Sequence, residues 1–388
     1  MLAIKNGRIL TIANRIIEQG TVLVESGKIV EVGSEVEISV DADIIDVEGK
    51  VVMPGLIDAH THLGIWEEGI GESGADGNEK SAPLTPQLRA IDAVNPFDQA
   101  FEDALKAGVT TVGTGPGSSN VLNGESIALK TYGHVVDEMV VKDPVGAKAA
   151  FGENPKVVFG KQEKAPYTRM AIAALLREAL LNADNYLKQE HPEYNIKHEA
   201  VAKILRKEVP LKAHAHRADD IMTALRIAKE FNLDLTIEHG TESHKIAGYL
   251  AQQGVPVVFG PTMVSRSKVE LKERDFSTAK VLVEAGVKLA IMTDHPVIPI
   301  QYLSICAGLA VKAGLDWQEA LRAITINPAQ ILGISDRVGS IESGKDADLI
   351  VLSGNPLALE SRVEKVLING SLVVDNGKTI NTNKELTD

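Results

Sequence analysis

Among 388 residues there is a single cysteine, Cys306, so no disulfide can form within the chain. Its setting, Leu303-Ser-Ile-Cys-Ala307, reads as a small buried hydrophobe rather than a nucleophile. No uninterrupted apolar run approaches the roughly 18 residues of a membrane-spanning helix. Lys5 and Asn6 come too early to leave room for the apolar core of a signal peptide. An excess of positive charge is also missing. The net charge of −13 disfavours a non-specific grip on phosphate backbones or anionic membranes, so neither nucleic acid nor membrane is an expected partner. The bases that occur interleave with acids, as in Lys268-Val-Glu-Leu-Lys-Glu-Arg274, which reads as a solvated face. Aromatics reach only 4%, which makes the expected core aliphatic. What remains is 44% hydrophobic and 24% charged, the balance of a folded chain rather than a disordered one. A cytoplasmic protein acting on a small molecule fits these exclusions.

The two ends of the chain share one texture. Ala3-Ile-Lys-Asn-Gly-Arg-Ile-Leu10 and Gly20-Thr-Val-Leu-Val-Glu-Ser-Gly-Lys-Ile-Val30 are short strands with Asn-Gly and Ser-Gly turns. Residues 348–352, 363–370 and 371–377 repeat the pattern, which suggests one β-sandwich built from both termini. The middle alternates apolar strands, at Val109–Val112, Leu211–His214, Leu233–Ile237, Val255–Phe259 and Val287–Met292, with helices at 218–231, 243–253 and 278–285. Such alternation means a parallel sheet covered by helices, either a closed barrel or a doubly wound sheet. Two segments have the character of binding loops: the Gly-, Pro- and charge-rich stretch 64–95, and Thr114-Gly-Pro-Gly-Ser-Ser-Asn120, which is expected to line a pocket.

Of ten histidines, six lie in or beside strand ends: His60, His62, His214, His216, His239 and His295. In Gly55-Leu-Ile-Asp-Ala-His-Thr-His-Leu63 the two-residue period of a strand puts Asp58, His60 and His62 on one face. Two imidazoles can then address one ion from a single strand. Leu211-Lys-Ala-His-Ala-His216 repeats the arrangement, Thr236-Ile-Glu-His239 ends the next strand, and Ala290-Ile-Met-Thr-Asp294 ends another. Their recurrence at strand ends, which meet at one rim in a parallel barrel, carries more weight than any one of them.

The stretch Val52-Met-Pro-Gly-Leu-Ile-Asp-Ala-His-Thr-His62 resembles the entry motif of the amidohydrolase superfamily, particularly its imidazolonepropionase-like branch. Ala323-Ile-Thr-Ile-Asn-Pro-Ala-Gln-Ile-Leu-Gly333 and Gly339-Ser-Ile-Glu-Ser-Gly-Lys-Asp-Ala-Asp-Leu-Ile-Val351 resemble that family's return into its small β domain. The resemblance implies an α/β fold: a distorted (β/α)8 TIM barrel over residues 53–339, with a composite β-sandwich from residues 1–52 and 340–388. It makes His60 and His62 ligands of the more buried metal position, with His214 and His239 as the histidines of barrel strands five and six. Asp294 becomes the strand-eight aspartate that binds metal and handles protons. Many relatives bridge two ions with a carboxylated lysine or a glutamate at strand four. Glu153 is the expected counterpart here, with Lys161 as its rival, so one ion or two stays open. His216 and Arg169 are expected to meet substrate, and Asp58 to orient a ligand histidine.

The donor set suits Zn2+ or a similar divalent ion, since Mg2+ and Ca2+ prefer oxygen shells. The implied activity is cleavage of a C–N bond, in an amide or cyclic amide, by a metal-activated water with Asp294 as acid and base. A deaminase of a nitrogen heterocycle would use nearly the same residues. A non-enzymatic scaffold would be expected to have lost some of the ligands retained here. Relatives of this kind commonly form homodimers.

Overall fold

The computed structural model describes residues 1–13 and 15–380. The proposed sandwich segment 340–388 therefore extends, at residues 381–388, outside the described residues.

Eight strands form the central sheet in chain order: β1 (Leu56–Thr61), β2 (Val109–Thr114), β3 (Leu122–Lys130), β4 (Val140–Ala150), β5 (Leu211–Ala215), β6 (Leu235–His239), β7 (Val257–Phe259) and β8 (Leu289–Ile291). The sheet curls into a nearly closed barrel. The backbone N–H of His62, just past β1, donates to the carbonyl of His295, just past β8, at 2.8 Å. At the seam, Ile57 donates to Ile324 and Ile291 to Ala323, both at 2.8 Å, so the segment before the helix Ile326–Leu332 fills the gap between β1 and β8. The sheet departs from the all-parallel expectation at one place: β3 runs antiparallel to both β2 and β4. The connection between β2 and β3 is the short 115–121 segment, which turns back directly instead of crossing over through a helix.

Every residue of β1, β2, β3, β5, β6, β7 and β8 is buried. That explains why these strands read as nearly continuous apolar runs. The helices cover them with one apolar side. In Ala218–Phe231 the buried set includes Ile221, Ala224, Leu225 and Ala228, and the helix stops at Asn232, whose left-handed φ of 55° closes its end. The segment expected as one helix over 243–253 is a 3-10 turn, Ser243–Ile246, followed by the α-helix Ala247–Gln253. The excursion after β1 is pinned by Asp98, which caps the helix Gln99–Lys106 and also accepts the backbone N–H groups of Gly64 and Glu68, each at 3.2 Å.

The terminal strands build a second sheet, nine-stranded among the described residues. Its two halves meet where Val51–Pro54 pairs antiparallel with Leu349–Leu352. No helix among the described residues is long and apolar enough to cross a membrane. Cys306 is buried, 3.7 Å from the sulfur of Met263, and burial pushes its thiol up to about 12.

A buried ion cluster joins the two sheets. The Lys130 ammonium, at the end of β3, donates to Asp346 at 3.0 Å and to Asp348. Lys28 and Arg337 complete the shell of Asp346 at 2.5 and 2.8 Å. Breaking a buried pair from one side leaves the other charge uncompensated. Lys130→Ala is therefore expected to destabilise the fold by about 3–5 kcal/mol, read by denaturant unfolding. A loss below about 1 kcal/mol would mean that this cluster does not hold the sheets together.

Candidate metal centre

The barrel interior is polar at one end only, and strand alternation explains which side chains get there. His60, on β1, and His62, just past it, are buried and line the cavity, while Asp58 is fully buried on the same strand. From β4 the inward side chain is Lys148, which is 1% exposed. From β5 come Lys212 and His214, and from β6 Thr236 and Glu238. Gly146, two residues before Lys148, leaves room for the neighbouring lysine: a Cβ there would lie 2.4 Å from the Lys212 side chain.

Two residues reach the centre by breaking the alternation. Glu238 already faces inward, so His239 would be expected to face outward. Instead it takes a φ of 76° at the end of β6. Asp294 does the same past β8, with φ 56°, after the buried Thr293. Left-handed backbone is uncommon for residues other than glycine and is concentrated at functional sites. Here it occurs at two side chains already singled out by chemistry.

Each histidine has one ring nitrogen committed to an anchor. His60 Nδ1 lies 2.7 Å from Glu238 Oε2, His62 Nδ1 2.7 Å from the Gly115 carbonyl, and His239 Nδ1 3.1 Å from the Gly260 carbonyl. His214 Nε2 lies 3.3 Å from the Asn154 amide nitrogen. The opposite nitrogens converge. His60 Nε2 and His62 Nε2 are each 3.4 Å from Asp294 Oδ1, and His60 Nε2 is 3.1 Å from Lys148 Nζ. His214 Nδ1 and His239 Nε2 are buried without a hydrogen-bond partner among the described residues, their ring centroids 4.2 Å apart. A buried polar atom left in that state costs about 1–3 kcal/mol. Potential ligand atoms of His60, His239 and Asp294 all lie within 4.8 Å of one another, as do those of His214, His216 and His239. Imidazole lone pairs of this kind, beside a carboxylate, fit a divalent transition metal.

The electrostatics agree with that donor set. Burial holds His214 and His239 well below the usual imidazole range, with repulsion from His239 and His216 adding to it at His214 and from His216 and His60 at His239, so both keep lone pairs at neutral pH. Burial works to raise Asp294, but hydrogen bonds to His60 and His62 outweigh it and keep the carboxyl ionised. Glu238 is likewise held below the carboxylate range against burial, by Lys212 and His60. Burial pushes Lys148 down to about 8.

Several expected residues take other places. Glu153 opens the helix Glu153–Gly160 beyond β4 and stands on the rim, outside both groups of converging ligand atoms. The strand-four side chain that reaches the centre is Lys148. Lys161 is exposed at the end of that helix. Arg169 is drawn to Asp220 at 2.8 Å and is not among the residues lining the cavity. Asp58 does not touch an imidazole nitrogen. It accepts the His60 backbone N–H at 3.1 Å, and its other oxygen takes both N–H and hydroxyl of Thr293, at 2.8 and 2.7 Å, which fixes the turn presenting Asp294. Burial pushes Asp58 up to about 6. Glu238 orients His60 instead. His216 does face the cavity: it stacks on His239 at 4.6 Å, with Nδ1 held by Thr241 at 2.8 Å. His295 accepts the Ile300 N–H at 3.2 Å, a structural bond.

Above the centre lies a cavity of about 700 Å3. Both expected binding loops contribute to it, with Trp66 and Asn78 from the first and Gly117 to Ser119 from the second. The run from Lys268 is only in part the solvated face its composition suggested: Lys268, Val269 and Lys272 are exposed, but Glu270 is 1% exposed and Lys268 lines the cavity.

Residues 51–373 match the sequence profile described as the Amidohydrolase family. The chain is 45% identical to the amidohydrolase of known structure from Thermotoga maritima, covering 97% of this chain and all of that one, with a TM-score of 0.94. It is 28% identical to amidohydrolase tasK of Hapsidospora irregularis, covering 92% of this chain but 40% of that much longer protein. It is 26% identical to the imidazolonepropionase of Thermoplasma volcanium, over 93% of this chain and 92% of that one.

Proposed function

Because the chain belongs to the amidohydrolase family, whose profile spans most of its length, we propose that it is a metal-dependent hydrolase of a C–N bond in a small amide or cyclic amide. The observation carrying this reading is the convergence of four imidazoles, Lys148 and Asp294 below a single cavity. His60, His62 and Asp294 would hold one divalent ion, and His214 and His239 a second. Lys148, 3.1 Å from His60 Nε2, would add a further ligand once its amine is carboxylated by carbon dioxide. Bound there, Zn2+ or a similar ion supplies an acidified water and a polarised acyl carbon.

The protein's own side chains do the rest. Asp294 Oδ1, ionised and facing the imidazoles, accepts the water's proton and returns it to the departing nitrogen. Asp58 and Thr293 keep that carboxylate in place. His216, held by Thr241, presents Nε2 toward the cavity, where it can donate to the substrate carbonyl or to its developing charge. The apolar walls formed by Val157, Val264, Leu271 and Pro296 limit water around the reacting bond.

The test is elemental analysis of the purified protein, together with amine and ammonia release from a panel of cyclic amides, N-acyl amino acids and dipeptides. The reading requires at least one bound divalent ion per chain and amine release that chelation abolishes. Ammonia release from a heterocycle alone would make the protein a deaminase. Full activity without any recoverable transition metal would end the reading.

A further inference from the structure

We propose that Lys268 anchors a substrate carboxylate, so that the preferred substrate is an amide bearing an acid, of the N-acyl amino acid class. The inference rests on the hydrolase reading for its reaction, but not for its binding geometry. Lys268 lies on the segment between β7 and the helix Ser277–Glu284 and lines the cavity. Its ammonium donates to Asn154 Oδ1 at 2.7 Å. The nitrogen of the same Asn154 amide lies 3.3 Å from His214 Nε2 and donates to Ser118 Oγ at 2.7 Å. The positive charge is thus held one amide side chain away from a metal-centre histidine. An N-acyl amino acid separates its scissile carbonyl from its carboxylate by a comparably short span.

Further observations favour an anionic group at that position. Glu270, whose Oε2 accepts the Glu153 N–H at 3.2 Å, is a counter-charge to the lysine, but its Oε1 stands 3.8 Å from Lys268 Nζ, too far to fill one of the ammonium's donors. The ammonium has three donors, of which Asn154 takes one, and the side chain is 41% exposed at the cavity mouth. Among the described residues lining the cavity, the other cation is Lys148, which belongs to the floor. Arg169, the cation that sequence alone favoured for this task, is occupied by Asp220. A carboxylate entering between apolar walls needs a charged partner, and Lys268 is the one the rim provides.

The test is calorimetric binding of N-acetyl amino acids, each paired with its C-terminal amide, to metal-loaded protein carrying Asp294→Asn to suppress turnover. At least one acid should bind about tenfold more tightly than its amide, the gain of one charge-assisted hydrogen bond. Lys268→Ala should erase that preference, and Lys268→Arg should keep much of it. The proposal is overturned if no acid binds in preference to its amide, or if the preference survives Lys268→Ala. Hydrolysis of neutral amides with no acid preference would leave the reaction standing and remove the anchor. Acid preference in a protein that cleaves no C–N bond would do the reverse.

Discussion

Replacing Asp294 with asparagine is expected to lower turnover by about two to four orders of magnitude, the range for losing a positioned acid and base, while most of the bound metal stays. The carboxylate is isosteric with the amide, so the turn fixed by Asp58 and Thr293 has no reason to move. His60, His62, His214 and His239 keep their orienting partners, since none of these is Asp294. What the variant loses is the ability to take and return a proton. Steady-state kinetics alongside elemental analysis separate the two effects. Turnover near that of the unaltered protein would remove Asp294 from the chemistry, and loss of all metal would make it chiefly a ligand.

The second large effect is expected at Lys148. Lys148→Met should lower turnover by at least about a hundredfold and reduce the number of ions bound per chain. The same change should leave the melting temperature of the metal-free protein unchanged or higher. A buried ammonium carries a desolvation cost, and a methionine of similar length fills the same space. Glu238 does not lose its compensation, because Lys212 remains 3.2 Å away and Thr236 donates at 2.8 Å. Opposite signs for activity and stability mark a residue kept for function rather than for folding. A variant that loses stability but retains its metal would instead make Lys148 a structural member of the barrel. Uptake of labelled bicarbonate by the unaltered protein, absent in the variant, would identify the carboxylated amine directly.

Much of this centre was legible in the sequence because strand periodicity and histidine chemistry reinforce one another. His60 and His62 share a face by a two-residue period, and His214, His239 and Asp294 end strands that the fold gathers at one rim. Lys148 carries a signal in its setting, Gly146-Ala-Lys-Ala-Ala150: a lone charge among small residues in a buried strand must face a partner. Glu238 and Lys212 carried the same signal. Glu153 follows the strand in sequence, but residues 151–153 turn the chain and start a helix, which sets its side chain on the rim. Lys268 and Glu270 could not be separated from a solvated charge run by composition, because the burial of Glu270 and the placing of Lys268 at the cavity depend on how the loop folds back toward Glu153 and Asn154. The antiparallel β3 was hidden for a different reason. A fully buried strand has the same apolar texture in either direction, and only the short connection before it sets the sense.

The most direct test of the metal centre is anomalous diffraction, at the absorption edge of whichever metal elemental analysis finds, from crystals of the protein as purified. The account predicts strong peaks within bonding distance of His60 Nε2, His62 Nε2, His214 Nδ1 and His239 Nε2, beside Lys148 and Asp294. Peaks located elsewhere, or none in crystals of a preparation that cleaves its substrate at full rate, would contradict it.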